Sequence, residues 1–535
     1  MIEKLVVANR GEIALRVFRA CRELGIATVA VVAPDDTGSL HARSADETVQ
    51  IQSYLFSEEH IRAAKQTGAD AIHPGYGFLA ENPDFAEAVN AAELVWVGPP
   101  PDALRAGGDK LEAKRIAQAA GVPVVPTGEP DEVGFPLVVK AAAGGGGRGM
   151  RVVRAREELD EALAAARREA KAAFGDDRVF CERYVERPHH VEVQLLANGD
   201  VCALGERDCS IQRRHQKVLE EAPSPAIDEP LRAAISDAAV AFARAIGYEN
   251  AGTAEFMVAG EEFWFLELNG RIQVEHPVTE LVTGVDLVQA QLRAAAREPL
   301  DVRPDPRGHA VEVRLYAEDP RTFLPQTGRI ERLRLPDGIR VDAGVEQGDE
   351  IGIAYDPMIA KLIAHGTTRE ESFDRLRTAL DETVVDGVIT NLPFLRWLVS
   401  HPLVRAGETT TAFLVEHPPL SQAPARVAAA PWRTPFRLNL PSPAPAPPPD
   451  VSATASDQRG PGTEQSTVVA PMPGTVIRLL VGAGDSVRAR QPLVVLEAMK
   501  METPLTSPYD ATVRAVHVAE GDRVAGGAVL VELEE

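Results

Sequence analysis

Glu497-Ala498-Met499-Lys500-Met501-Glu502-Thr503-Pro504-Leu505 places one lysine between two methionines, directly after the strand formers Leu493-Val494-Val495-Leu496. Further strand-like runs begin at Thr512 and Val529, and the surrounding sequence repeats at a spacing of 37 residues. Pro471, Thr475, Val476, Gly484-Asp485 and Leu493-Val494 recur as Pro508, Thr512, Val513, Gly521-Asp522 and Leu530-Val531. Two copies of one small β unit, joined at a hairpin, predict a pseudo-symmetric all-β domain over 467–535 with Lys500 at its tip. A tip lysine is wetted and open, which suits an enzyme that must grasp and acylate it. A lone hairpin lysine is ordinarily an unremarked surface residue. The repeat and the Met-Lys-Met context favour the modification site.

The rest of the chain is too long for one core: 535 residues divide into three to four domains. Hydrophobic residues at 45% and charged residues at 25% are ordinary for a globular protein. A net charge of −23 excludes a role as a general nucleic-acid binder, which needs a basic face. Any phosphate-bearing substrate must be held by local Lys and Arg. Cys21, Cys181, Cys202 and Cys209 lack metal-ligand spacing and are expected to be reduced. The opening residues read as a strand rather than a signal peptide, and no run approaches a membrane span, so a cytoplasmic location is expected.

Residues 4–33 read strand, turn, helix, strand, with Ile13, Val17, Ala20, Cys21 and Leu24 on one helical face. This βαβ unit predicts a parallel sheet over 1–110. A single glycine turn at Gly11 is not a dinucleotide fingerprint. The turn-rich segment His73 to Leu79 is expected to be a loop at a sheet edge. Between Leu111 and Tyr184, the glycines Gly144 to Gly147 lie between the predicted strands Leu137-Lys140 and Met150-Val153, ahead of a helix from Glu157 to Phe174. Such a loop lets backbone N–H groups close on an anion, but it is not a Walker A loop and equally fits a flexible hairpin. Residues 185–417 alternate strands and helices. Eleven prolines between 418 and 450, then small residues to Ser466, mark 418–466 as a linker. As a flexible coil it spans roughly 40 Å, and at most ~150 Å if polyproline-like.

Glu267-Leu268-Asn269-Gly270-Arg271-Ile272-Gln273-Val274-Glu275-His276 is the densest polar stretch. Read as extended, it puts Glu267, Asn269, Arg271, Gln273 and Glu275 on one face. A strand over Thr253-Met257 sets Glu255 beside Glu267. Two carboxylates and a carboxamide suit Mg²⁺, Arg271 suits a planar anion, and Glu275 is left as a base. A second cluster, Glu206 to Lys217, concentrates Arg207, Arg213, Arg214, His215 and Lys217. It reads either as an anion site or as a solvated charged face.

These stretches carry a resemblance. The Ala-Met-Lys-Met motif at 498–501 resembles the biotinyl domain of biotin-dependent carboxylases; a lipoyl domain shares the architecture, but its motif lacks the two methionines. Residues 1–417 resemble biotin carboxylase, an ATP-grasp enzyme, through Val7 to Glu12, His73 to Leu79, Lys140 to Met150, Glu206 to Lys217 and Glu267 to Pro277. The resemblance implies an α/β fold: a Rossmann-like domain at 1–110, a lid (B) domain at 111–184, an ATP-grasp domain at 185–417, then the linker and a flattened-barrel biotinyl domain at 467–535. It implies ATP contacts from Lys110, Lys140, Gly146, Gly147, Glu182, Arg183, Tyr184, Val185, His190, Gln212, His215, Glu255 and Glu267. Glu255, Glu267 and Asn269 would hold Mg²⁺ or Mn²⁺. Lys217, Arg271 and Val274 would bind bicarbonate, with Glu275 as base and Arg340 near the biotin ureido oxygen. Lys500 would carry biotin.

The implied reaction uses ATP to convert bicarbonate into carboxyphosphate, which yields the carboxyl group for biotin inside a closed lid. The implied partners are a carboxyltransferase (β) subunit, a biotin protein ligase and a second copy of the chain. The expected enzyme is thus half of an acyl-CoA carboxylase. The alternatives are half of a pyruvate or other non-CoA carboxylase, or a biotin carrier with an inactive ATP site. The sequence departs from the family at the shortened Gln50-Ser53 loop, at Pro126 to Phe135, where a helix is expected to be missing, at Ala143, and in a linker too short for a partner-docking domain.

Overall fold

The computed structural model describes residues 2–142, 150–174, 176–213, 216–300, 302, 305–352, 354–419, 467–471, 474–498, 501–524 and 526–534, with backbone alone for 172–174, 497, 498 and 501–503. Ala143, Gly146, Gly147, Arg214, His215, linker residues 420–466 and Lys500 lie outside the described residues.

Strands β1 (Lys4–Val7), β2 (Ala27–Val32), β3 (Glu47–Gln50), β4 (Ala71–His73) and β5 (Val95–Trp96) form a parallel sheet in the order β3-β2-β1-β4-β5. This is the Rossmann order with its reversal between β1 and β4. Leu5 and Val7 bury into one core and Val6 and Ala8 into another, as a sheet covered on both faces requires. The helix Gly11–Leu24 supplies Ile13, Val17, Ala20 and Cys21 to the first core and ends at Gly25 in the left-handed conformation. The His73–Leu79 segment leaves β4, an inner strand, so the sheet-edge expectation is corrected. Asn9 Nδ2 ties it down, donating to the Pro74 and Tyr76 carbonyls at 2.7 Å each. Gly75 is required there, because a Cβ would lie 2.8 Å from that amide.

β6 (Thr127–Gly128), β7 (Leu137–Ala141), β8 (Arg151–Val153) and β9 (Val179–Arg183) make an antiparallel sheet in the order β6-β9-β7-β8. The helix Leu159–Phe174 packs Leu159 and Ala166 onto Leu137, Val139, Val153 and Cys181. The helix expected to be missing near 126–135 is present as one turn, Pro130–Val133. Pro130, pre-set for a first helical position, opens it, and Gly134 at φ +77° ends it.

The largest sheet is antiparallel and eight-stranded. Its strands are β10 (His189–Ala197), β11 (Val201–Arg213), β12 (Gln216–Ala222), β13 (Asn250–Ala259), β14 (Glu262–Asn269), β15 (His309–Tyr316), β18 (Arg340–Ala343) and β20 (Met358–Gly366), in the order β14-β13-β10-β11-β12-β15-β20-β18. Short pairs β16 (Gly328–Arg329) with β19 (Glu350–Ile351), and β17 (Arg332–Arg334) with β21 (Val384–Asp386), flank it. Alternation along each strand separates two faces. Val191, Val193, Leu195, Ala254, Phe256 and Val258 pack with Phe242 in one core, and Val311, Val313, Leu315 and Leu362 in another. The opposite face carries His190, Glu192, Gln194, Arg207, Glu255, Glu312, Arg314 and Lys361, all buried as well. The helix His276–Thr283 lies against β11, β12, β15 and β20.

The C-terminal strands are β22 (Thr467–Val469), β23 (Gly474–Leu479), β24 (Ser486–Val487), β25 (Pro492–Ala498), β26 (Met501–Thr506), β27 (Ala511–Val516), β28 (Arg523–Val524) and β29 (Val529–Glu534). They form two four-stranded sheets, β22-β29-β27-β24 and β26-β25-β23-β28, which the sequence repeat superposes: β23, β24 and β25 recur as β27, β28 and β29. Repeat mates Val476 and Val513, Leu493 and Leu530, Val494 and Val531, and Leu496 and Leu533 share one core. The last pair of the β25–β26 hairpin is Ala498 with Met501. Among the described residues no helix is long and apolar enough to cross a membrane, and all four cysteines are free.

Candidate active site

Register assembles the polar face. Glu255 on β13 stands opposite Glu192 on β10 and Glu267 on β14, and Glu192 stands opposite Arg207 on β11. Adjacent carboxylates repel unless cations are interleaved. Lys217 on β12 supplies the main one: its Nζ donates to Glu192, to Glu255 Oε1 at 2.9 Å and to Glu275 Oε1 at 2.6 Å. Arg207 Nε donates to Glu192 Oε1 at 2.6 Å, Arg314 Nη2 lies 3.1 Å from Glu275 Oε2 and also pairs with Glu220, and His190 Nε2 lies 2.9 Å from Glu255 Oε2. Gln212 holds the other His190 nitrogen at 2.7 Å.

These contacts set the charge states. Burial raises the Glu255 carboxyl, but Lys217 and His190 overcome it and hold it well below the ordinary carboxylate range. Burial likewise raises Glu275, and Lys217, Arg314 and Arg207 pull it below that range. Burial lowers the Lys217 ammonium, yet Glu192, Glu255 and Glu275 drive it well above its ordinary value. The described cations of the Glu206–Lys217 run are therefore no solvated face: Arg207 is fully buried and Arg213 is clamped by Glu318 at 2.5 and 2.8 Å.

The extended reading of 267–275 holds only to Asn269, where β14 ends. The chain then turns into the helix His276–Thr283, because Pro277 is pre-set for a first helical turn and cannot continue a ladder. Glu275 occupies the N-cap position without capping; its carboxylate goes to Lys217 and Arg314 instead. Gln273 Nε2 and Asn269 Nδ2 each donate to Glu255 Oε1 at 2.8 Å. Arg271 donates to Asn269 Oδ1 at 3.0 Å and lies 3.2 Å from Glu81. The Val274 carbonyl accepts from Lys361 Nζ at 2.8 Å.

Lys110 Nζ reaches this group through Glu267, 3.6 Å away. A second buried group sits on the lid strands: Glu182 Oε2 lies 2.8 Å from Lys114 Nζ and 3.1 Å from Lys140 Nζ, at ion-pair distance without hydrogen-bond alignment. Burial pushes the Lys114 ammonium down to about 8, with the Lys140 charge adding to it and Glu182 opposing it. Beside it Arg183 lies over Trp264, Arg154 over Tyr184, and Val185 packs with Trp264. Arg340 is held at both ends, by Glu280 at 2.7 Å and Asp342 at 2.8 Å.

Sequence reasoning missed Glu192, Arg314, Glu220, Lys361, Lys114 and Glu280. The donor set fits a hard divalent cation. His190, Glu192 and Glu255 offer ligand atoms within 4.8 Å of one another, and Glu267 and the Asn269 amide flank Glu255. A cation held there would neutralise phosphate charge.

Residues 1–104 match the family described as biotin carboxylase, N-terminal domain, and residues 312–416 its C-terminal domain. Residues 109–303 match the carbamoyl-phosphate synthase L chain ATP-binding domain, and residues 466–533 the biotin-requiring enzyme domain. The chain is 48% identical to a biotin carboxylase of Haemophilus influenzae over 440 residues, 77% of this chain and 98% of that one. It is 42% identical to a biotin-dependent acyl-coenzyme A carboxylase alpha3 subunit of Mycobacterium leprae over 591 residues, 100% of this chain and 99% of the relative. The biotin carboxylase domain dimer of Hydrogenobacter thermophilus 2-oxoglutarate carboxylase, solved with MgADP, ADP and bicarbonate, superposes with a TM-score of 0.76 at 43% identity, covering 78% of this chain and 98% of that one. An ATP-binding site of this construction, joined in one chain to a biotin-bearing β domain, places the protein in the biotin carboxylase family of ATP-dependent ligases, which carboxylate biotin at the expense of ATP and bicarbonate.

Proposed function

We propose that the chain is the α subunit of an acyl-CoA carboxylase: it carboxylates biotin carried on its own Lys500 and passes the carboxyl group to a separate carboxyltransferase subunit. The observation that carries this reading is the end-to-end match to the M. leprae acyl-coenzyme A carboxylase subunit, which spans carboxylase, linker and carrier alike. The solved 2-oxoglutarate carboxylase structure is its biotin carboxylase domain, so that similarity bears on the first half-reaction only.

In this reading Lys217, Arg271 and the Val274 backbone receive bicarbonate. Glu275, ionised and 2.6 Å from the Lys217 ammonium, takes its proton as the ATP γ-phosphoryl group is transferred. Lys110, Lys140, Gly146, Gly147, Glu182 to Val185, His190, Gln212 and His215 surround the nucleotide. Glu255, Glu267 and Asn269 would hold Mg²⁺ or Mn²⁺, which would supply neutralisation of phosphate charge. Arg340, fixed by Glu280 and Asp342, faces the ureido oxygen of biotin. Preorganised charge does the electrostatic part of the work, because none of these groups must reorient as charge develops. A biotin protein ligase charges Lys500, and the carboxylase parts pair as a dimer.

The test has two stages. ATP hydrolysis by the purified chain should require Mg²⁺, bicarbonate and free biotin together, and intact mass should show one biotin that Lys500→Ala removes. With its carboxyltransferase added, ¹⁴C-bicarbonate should then be fixed onto a short-chain acyl-CoA. Fixation onto pyruvate or 2-oxoglutarate alone would overturn the acceptor, and a biotinylated chain without ATPase activity would leave only a carrier.

A further inference from the structure

Lys361 lies on β20, on the polar face of the sheet opposite Arg314, and is fully buried. An ammonium buried there is costly unless every donor is matched. Its Nζ donates to the Val274 carbonyl at 2.8 Å, and lies 3.3 Å from Glu12 Oε1 and 3.9 Å from Asp342 Oδ2. These partners come from three places. Val274 immediately precedes the base Glu275. Asp342 is the cross-strand neighbour of Lys361 and holds one end of Arg340. Glu12 opens the first helix of the N-terminal domain and accepts from Tyr76 in the His73–Leu79 loop.

We propose, resting on the functional reading above, that Lys361 is a positioning residue that ties the bicarbonate end of the site, Val274-Glu275, to the biotin end, Arg340. One ammonium orients the peptide carrying the base and anchors the carboxylate that aims the biotin-facing arginine. The ATP side is not in its reach: its Nζ lies against Val274, Glu12 and Asp342, and none of these is among the residues assigned to the nucleotide. Substrates at the two ends should therefore feel its loss together while the nucleotide does not.

The test uses the full biotinylated chain, with ATP, bicarbonate and free biotin varied separately in steady-state ATP hydrolysis. In Lys361→Met, KM for bicarbonate and for biotin should each rise about tenfold or more, with KM for MgATP within about twofold of wild type. That variant leaves Glu12 uncompensated and can lose stability for that reason alone. Lys361→Met combined with Glu12→Gln removes the stranded charge, and is expected to recover wild-type amide hydrogen-exchange protection in β20 while keeping both raised KM values. A double variant with wild-type KM for bicarbonate and biotin would overturn the proposal, as would a single variant whose three KM values shift alike. A wild-type chain without bicarbonate- and biotin-dependent hydrolysis would condemn the functional reading instead.

Discussion

Arg207→Lys keeps a positive charge at the centre of the sheet and removes its shape. Arg207 is fully buried with all five donors engaged: Nε to Glu192 at 2.6 Å, Nη1 to Gln194 at 2.8 Å and Thr279 at 2.9 Å, Nη2 to Thr253 at 3.2 Å and Gln273 at 2.8 Å. A lysine offers three donors from one point, so at least two of those acceptors lose their partner. Each buried group so stranded costs about 1–3 kcal/mol, about 2–6 kcal/mol in all. A multidomain chain does not unfold in one step, so the loss should be read locally, by amide hydrogen exchange in peptides covering β11 and β13. At 1.4 kcal/mol per decade, exchange there should quicken roughly 30-fold to 10⁴-fold. Peptides from β1, β2 and the C-terminal sheets serve as internal controls. Gln273, which also donates to Glu255, loses its anchor, so bicarbonate-dependent turnover should fall with the protection. Exchange within threefold of wild type in both strands would refute the idea that guanidinium geometry, rather than charge alone, organises this face.

Glu275→Gln preserves shape and leaves Lys217 two carboxylates and Arg314 its Glu220 partner, so the fold should persist. Bicarbonate-dependent ATP hydrolysis should fall about 10²–10⁴-fold with MgADP binding unchanged in calorimetry, and a near-wild-type rate would remove Glu275 from the base role. Lys114 titrates near 8 against an ordinary value of 10.5, so between those values the unfolded chain binds a proton that the folded chain has lost. Its contribution to stability therefore rises with pH across that window. The Lys114 cation, which shares Glu182 with Lys140, is lost in the folded chain as pH rises through about 8, so kcat/KM for ATP should decline there, and Lys114→Met should lack that limb.

The carrier domain was legible almost residue by residue, because one repeat carries strand pattern, turn glycines and core mates together. Val476 with Val513 and Leu493 with Leu530 are spaced by the repeat in sequence and share a core in space. The Glu255–Glu267 pairing was legible too, since both lie in strands with clear alternation. Past Asn269 the same alternation misled: a period-2 pattern does not register a turn, and Pro277 was the available signal. Two of the missed residues, Glu192 and Arg314, share one cause. His190-Glu192-Gln194 alternate with Val191-Val193-Leu195, and Glu312-Arg314 with Val311-Val313-Leu315, a pattern that ordinarily marks a strand with one wet face. Here the helix His276–Thr283 packs over part of that face, and only tertiary packing reveals it.

The same charges that keep Glu275 ionised in the free protein also make it a poor base, since a carboxylate held far below its ordinary range has little appetite for a proton. The arrangement resolves this conflict through Lys217. In the free site that ammonium is divided among Glu192, Glu255 and Glu275, and its attraction is the strongest effect opposing burial at Glu275. An anion arriving at Lys217 and Arg271 adds a negative charge beside Glu275 and claims part of the ammonium. Both effects favour protonation of the carboxylate, each tenfold change in proton affinity corresponding to about 1.36 kcal/mol. Arg314, 3.1 Å from Glu275, and Arg207 also pull that carboxyl down, which keeps Glu275 ionised before an anion arrives. In the proposed mechanism, base strength is thus conferred by the bicarbonate whose proton is to be removed. A site built this way stays ionised and inert with ATP alone, which is the behaviour an enzyme needs if it is not to spend nucleotide without carboxylating anything.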